Sequence, residues 1–163
     1  MTRFCAYLLF AALPICVAAS ADCNIDPARV GKNLSPSALA VRNTLFVKLC
    51  SITGGSVVDI TDPTLRGRLL PPNDLQAPPK KDMGRYYTED DRRSGRQGRV
   101  LLAMLVETDG STHEVTVLSS SRYSPFDAGA SKLWKDSRFN TPAKLDGQPV
   151  PALIYVTQDF SLR

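Results

Sequence analysis

The sequence predicts an α+β domain in its C-terminal half, with helices packed on a small antiparallel sheet. Three stretches carry that expectation. Arg99 to Ser121, RVLLAMLVETDGSTHEVTVLSSS, reads as two strands joined by a tight turn. Ser124 to Ser137 carries an apolar face at helical spacing. Pro149 to Leu162 alternates with period two. With a short helix ahead of them the order is α-β-β-α-β, three strands and two helices.

The first residues read as an address. Arg3 is a positive start, Phe4 to Val17 are almost wholly apolar, and Ala19-Ser20-Ala21 offers small residues for a signal peptidase. Residues 1–21 are therefore expected to be a secretory signal peptide. The rival is an uncleaved membrane anchor, for which Phe4 to Ala21 is short and contains Pro14. Asp22 before Cys23 argues against a lipoprotein. The formal charge of +4 is mildly basic and, with export, does not point to nucleic acid. Once the signal is removed, Cys23 and Cys50 remain of the four cysteines. An exported chain with two cysteines favours a disulfide, closing a loop of about 27 residues and worth roughly 3 kcal/mol. No CxxC occurs, so neither a redox motif nor a zinc site is indicated.

Residues 22–61 form a small N-terminal segment. Ser35-Pro36 suits the start of a helix. Leu39, Arg42, Leu45, Phe46 and Leu49 follow at helical spacing, and Gly54-Gly55 would end it. Val47 and Val57-Val58 leave a strand as the alternative. Residues 62–84 read as a linker, because Pro63, Pro71, Pro72, Pro78 and Pro79 cannot donate to a ladder. A Pro-rich recognition segment is the alternative reading. Residues 85–163 are the domain, with its boundary near residue 80.

Tyr86 to Gly95, YYTEDDRRSG, is a short helix. Thr88 caps it, Glu89, Asp90 and Asp91 sit at its positive end, and Gly95 takes the left-handed terminating position. Arg92, Arg93, Arg96 and Arg99 read as a solvated face balanced by the nearby acids. In the hairpin, Val100, Leu102, Met104 and Val106 share one face, while Leu101, Ala103 and Leu105 make the other apolar too. Such a strand is central and covered on both sides. Asp109-Gly110 suits a primed turn with positive φ at both residues. In the next helix Ser124 is the expected cap with Asp127 completing a capping box. Phe126, Ala130, Leu133, Trp134 and Ser137 form the face that covers the hairpin. Trp134, the single tryptophan, is expected to be its largest packing element, worth roughly 3–5 kcal/mol. In the last strand Val150, Ala152, Ile154, Val156, Phe160 and Leu162 form one row, with Gln158 interrupting it. Leu153, Tyr155, Thr157, Asp159 and Ser161 form the other.

From Tyr86 onward these pieces come in the order of a known family. Gly95 and Gly98 flank Arg96-Gln97 before the first strand, and Asp109-Gly110 sits at the hairpin turn. Val115, Val117 and Ser119-Ser120 follow, then Asp127, Ala128 and Ala130, then Trp134 with Arg138-Phe139. Pro142-Ala143, Gly147, Pro149-Val150, Phe160 and Leu162 complete the series. The chain resembles, over these residues, the C-terminal domain of the TonB family of periplasmic energy transducers. It departs from the family pattern where Tyr87 follows Tyr86 in place of proline. Its single histidine, His113, lies beside the hairpin turn, and long Pro-Glu and Pro-Lys repeats are missing.

The resemblance implies a periplasmic protein whose last strand accepts a segment of an outer-membrane transporter by strand addition. It places the partner-binding residues at Leu153, Ile154, Tyr155, Val156, Thr157, Asp159 and Phe160, flanked by Tyr86 and Tyr87. A link to an inner-membrane motor is doubtful without a histidine in the N-terminal segment. Homodimerisation by strand pairing is a further option. A freestanding periplasmic peptide- or protein-binding module, or a structural accessory of an envelope complex, is the alternative function. Catalysis is not expected: the one histidine has no recognisable partner, and no nucleophile elbow, phosphate loop or metal spacing occurs. No cofactor is expected.

Overall fold

The computed structural model describes residues 33–76 and 86–161. Helix α1 runs Pro36–Ile52. Ser35 caps it, its hydroxyl accepting from the Ala38 N–H at 3.3 Å, with Pro36 in the first turn where a missing N–H costs nothing. Gly54 and Gly55, both at positive φ, turn the chain away. After β1, Val58–Asp59, comes a short 3-10 turn at Pro63–Leu65, then β2, Leu69–Leu70, and β3, Asn73–Gln76. The family-like half contains α2, Glu89–Arg93, β4, Gly98–Val106, β5, Thr112–Ser119, and α3, Ser124–Lys135. Strands β6, Arg138–Thr141, β7, Lys144–Leu145, β8, Gln148–Pro149, and β9, Ala152–Phe160, complete it.

The main sheet has four strands in the order β1-β9-β4-β5, one more than the sequence suggests. Strand β4 is central, as its two apolar faces require. Val100, Leu102, Met104 and Val106 join Phe126, Ala130, Ile154 and Phe160 in a core under α3. Ala103 and Leu105 join Leu45, Phe46, Leu49 and Leu153 in a second core under α1. Each face of β4 thus has its own helix. The added strand is β1, which pairs parallel with β9.

The stretch read as a linker is structured as far as Gln76. Strand β2 pairs with β7, and β3 pairs with β6. Residues 77–85, including Lys80-Lys81, lie outside the described residues, as do the expected signal peptide and Cys23. Cys50 is buried at the end of α1.

Three local expectations are corrected. At Asp109-Gly110 only Gly110 has positive φ, +84°. Its N–H donates to Glu107 O at 2.9 Å, and Glu107 N–H donates to Ser111 O at 2.9 Å. This is a three-residue loop with the glycine as a bulge rather than a two-residue primed turn. The primed geometry occurs instead at Asp146-Gly147, φ +51° and +83°, between β7 and β8. Helix α3 is not capped by Ser124. Its N-cap is Tyr123, which makes no side-chain cap bond, and Asp127 accepts instead from the Ser121 N–H and hydroxyl and the Ser120 hydroxyl. Trp134 is only partly buried at the rim of its core, whereas Phe126 is fully buried and stacks on Phe160 with centroids 4.4 Å apart. Trp134→Ala is accordingly expected to cost roughly 1–3 kcal/mol, the range of ordinary substitutions rather than of a buried aromatic. Urea unfolding followed by circular dichroism measures it, and a loss above 4 kcal/mol would restore the tryptophan to the centre of the core.

Candidate functional site

The site is built from the two flanks of β9. Its inner flank pairs antiparallel with β4 along its whole length, from Val106 opposite Ala152 to Gly98 opposite Phe160. Its outer flank meets β1 at one end. Val58 N–H donates to Pro151 O at 3.0 Å, and Ile60 N–H donates to Leu153 O at 3.1 Å. The register sets Val58 against Ala152 and Asp59 against Leu153, and pairing stops there. In a strand the N–H and C=O of one residue point to the same side, and successive residues alternate. Pro151 and Leu153 point outward, so Tyr155, Thr157 and Asp159 do as well. Among the described residues no strand pairs with that outer flank beyond Leu153.

The side chains obey the two rows read from the sequence. Ile154 and Phe160 are buried in the α3-side core, with Val156 and Gln158 half-buried. Leu153 is fully buried in the α1-side core, and Tyr155 is half-buried against it. Thr157 and Asp159 are exposed. The offered surface is therefore main chain first, with polar side chains on one face and Val156 on the other.

At the far end of β9 the expected flanking residues prove to be part of the fold. The Tyr87 ring stands edge-on to Phe126 and Phe160, at 5.6 and 6.3 Å, and its hydroxyl donates to Arg96 O at 2.9 Å. Tyr86 lies against α3 at Gly129, where an added Cβ would come within 2.5 Å of the Tyr86 Cβ. The structure thus brings Tyr87 to the end of the strand through Phe160, while Tyr86 packs on the helix. The arginines are balanced by acids, as expected. Arg92 and Arg93 face Glu89 at 3.7 and 3.5 Å, Arg96 reaches Asp91 at 2.9 Å, and Arg99 reaches Asp159 at 2.6 Å. Asp91 also completes the capping box with Thr88. The Thr88 hydroxyl and the Arg96 guanidinium hold its carboxyl down at about 2. His113 is exposed, its ring 3.2 Å from the Ser111 hydroxyl.

Sequence reasoning missed the polar group at the other end of the strand. Arg42, 2% exposed, and Asp59, 0% exposed, are both buried. They form an ion pair through Arg42 Nη2 and Asp59 Oδ2, with Arg42 Nε at 3.1 Å from the same oxygen. The Tyr155 hydroxyl donates to Asp59 Oδ2 at 2.5 Å and accepts from Arg42 Nε at 3.0 Å. Burial, and then the Asp59 carboxylate, push the Tyr155 phenol well above its ordinary range. The Thr61 N–H and hydroxyl satisfy Asp59 Oδ1 at 2.8 and 2.6 Å. One signal was present: an arginine in the middle of the apolar face of α1. Among the described residues no group of three or more His, Cys, Asp or Glu is placed to hold a metal ion. Among them no helix is long and apolar enough to cross a membrane.

Residues 83–162 match the family model of the Gram-negative bacterial TonB protein C-terminal. No curated protein matches the chain. Among solved structures it is similar to the solution structure of the Pseudomonas aeruginosa TonB C-terminal domain, at 19% identity and a TM-score of 0.39. That match covers 65% of this chain and 92% of the other. The family match spans α2 through β9, the elements that build the hairpin, its covering helix and the open strand. Residues 83–162 of this chain are a TonB C-terminal domain.

Proposed function

We propose that the protein binds an extended segment of an envelope partner, in the first instance an outer-membrane transporter, by strand addition to the outer flank of β9. The observation that carries this reading is the unpaired flank itself, with three outward-facing residues beyond the last β1 contact. An exposed row of N–H and C=O groups is a template for another chain. TonB C-terminal domains are periplasmic and take part in envelope transport and its energy coupling. They are interaction domains.

Binding does not itself require energy transduction. A freestanding periplasmic binding module uses the same edge.

Thr157→Pro tests the site. Proline removes an outward N–H that no strand uses among the described residues, so the sheet keeps its inner ladder. Cross-linking to an outer-membrane protein from a photoreactive group at Asp159, in intact envelopes, is expected to fall about tenfold, the loss of one good hydrogen bond and its geometry. The thermal midpoint is expected to move little. An unchanged yield would move the site away from β9.

A further inference from the structure

We infer that β1 is an internal cap on the docking strand, which confines the partner to the stretch Tyr155 to Phe160. This deepens the strand-addition reading and rests on it. The cap already takes the outward groups of Pro151 and Leu153. It is not a frayed contact, since Val58 is 6% exposed and Asp59 not at all. Asp59 is held by Arg42 from α1 and by the hydroxyl of Tyr155, the first outward residue past the cap. Beyond Asp59 the chain leaves the edge: Thr61 bonds back to the Asp59 carboxylate, and Asp62 N–H donates to Asp59 O at 3.1 Å.

The partner that fits is therefore short. The open stretch has six residues, about 20 Å of strand at the usual rise. A partner segment lies end to end with β1 along the same edge. It cannot reach Leu153 without pulling Asp59, a buried charge, off Arg42. Its side chains alternate between the half-buried Val156 on one face and Thr157 and Asp159 on the other, so the fitting segment is extended and alternates apolar with polar residues. The occupant is a segment of another polypeptide; the rival occupant is a second copy of this chain.

Amide hydrogen exchange on the full chain, read residue by residue, tests the cap without needing the partner. The Leu153 amide is expected to exchange at least a hundredfold more slowly than those of Thr157 and Asp159, in dilute and in concentrated solution alike. Val58→Pro, which removes one cap bond, is expected to speed Leu153 at least tenfold. Ile154, paired with Met104, should be unchanged. Three results would overturn the inference: Leu153 as fast as Thr157, Thr157 and Asp159 as slow as Leu153 at every concentration, or slowing of those two on concentration alone. The last would make the occupant a second copy. Failure of the cap is separable from failure of strand addition. With no exchange boundary but cross-linking still sensitive to Thr157→Pro, the cap falls and the binding edge stands.

Discussion

Gly110→Ala is expected to destabilise the fold by about 2–5 kcal/mol, a left-handed strain of about 1–2 kcal/mol plus overpacking of about 1–3 kcal/mol. Gly110 sits at φ +84°, and a Cβ added there would lie 1.8 Å from the Phe139 carbonyl oxygen. The obstacle is backbone, so no rotamer relieves it. Phe139 is tied to the same spot, its N–H donating to Gly110 O at 2.8 Å, and Arg138 Nη2 donates to Asp109 O at 2.8 Å. The hairpin loop and the start of β6 are thus one packed unit, and separating them disturbs the approach to β9. Gly147→Ala is the internal control. Gly147 has φ +83° but nothing within 4 Å of its ideal Cβ, so only the strain remains, about 1–2 kcal/mol. Urea denaturation of both variants measures the difference. Equal losses would show that the contact with Phe139 is not as tight as described.

The hairpin was legible because period-two apolar residues on both faces leave a strand nowhere to go but the middle of a sheet. Helix α2 was legible for a local reason: Thr88, Asp91 and Gly95 each satisfy a terminus by themselves. The turn at Asp109-Gly110 was found but its type was not. The dipeptide suits more than one loop, and the choice is made by the tertiary bond to Phe139 rather than by the dipeptide. Trp134 misled because size suggests burial, while the centre of that core is set by the stack of Phe126 on Phe160.

The candidate site was legible from alternation as a strand, and as an edge only through the family resemblance. The two rows of β9 follow from alternation, which sets Thr157 and Asp159 on the face opposite Ile154 and Phe160. Which part of the flank is open depends on β1, a strand of two residues. Two residues carry no periodic signal, and Val57-Val58 was the only trace. The same holds for α1. Arg42 on its apolar face breaks the pattern until Asp59 and Tyr155, 17 and 113 residues away, are seen beside it.

Asp59→Ala is expected to cost about 3–5 kcal/mol, because it leaves Arg42 buried and unpaired. The substitution also strips the Tyr155 hydroxyl and the Thr61 N–H of their acceptor. The second change is the informative one. Replacing Arg42 as well, in Arg42→Met/Asp59→Ala, removes the orphaned charge, and most of the loss is expected to return, since a buried pair exchanged for apolar groups is often near neutral. Trp134 is the probe to use. It sits on α3, across the sheet from α1, with β4 between them. If residues 36–61 are part of one cooperative unit with the domain, the Trp134 fluorescence midpoint falls with Asp59→Ala as far as the circular dichroism midpoint does. We propose that they are, because Ala103, Leu105 and Leu153 have α1 as their cover. A fluorescence midpoint that stays put while α1 melts would make the N-terminal segment a detachable attachment, with the folding unit starting near residue 85. The cap on β9 would then be removable at the cost of α1 alone, and the whole of the strand from Leu153 to Phe160 would become the docking edge.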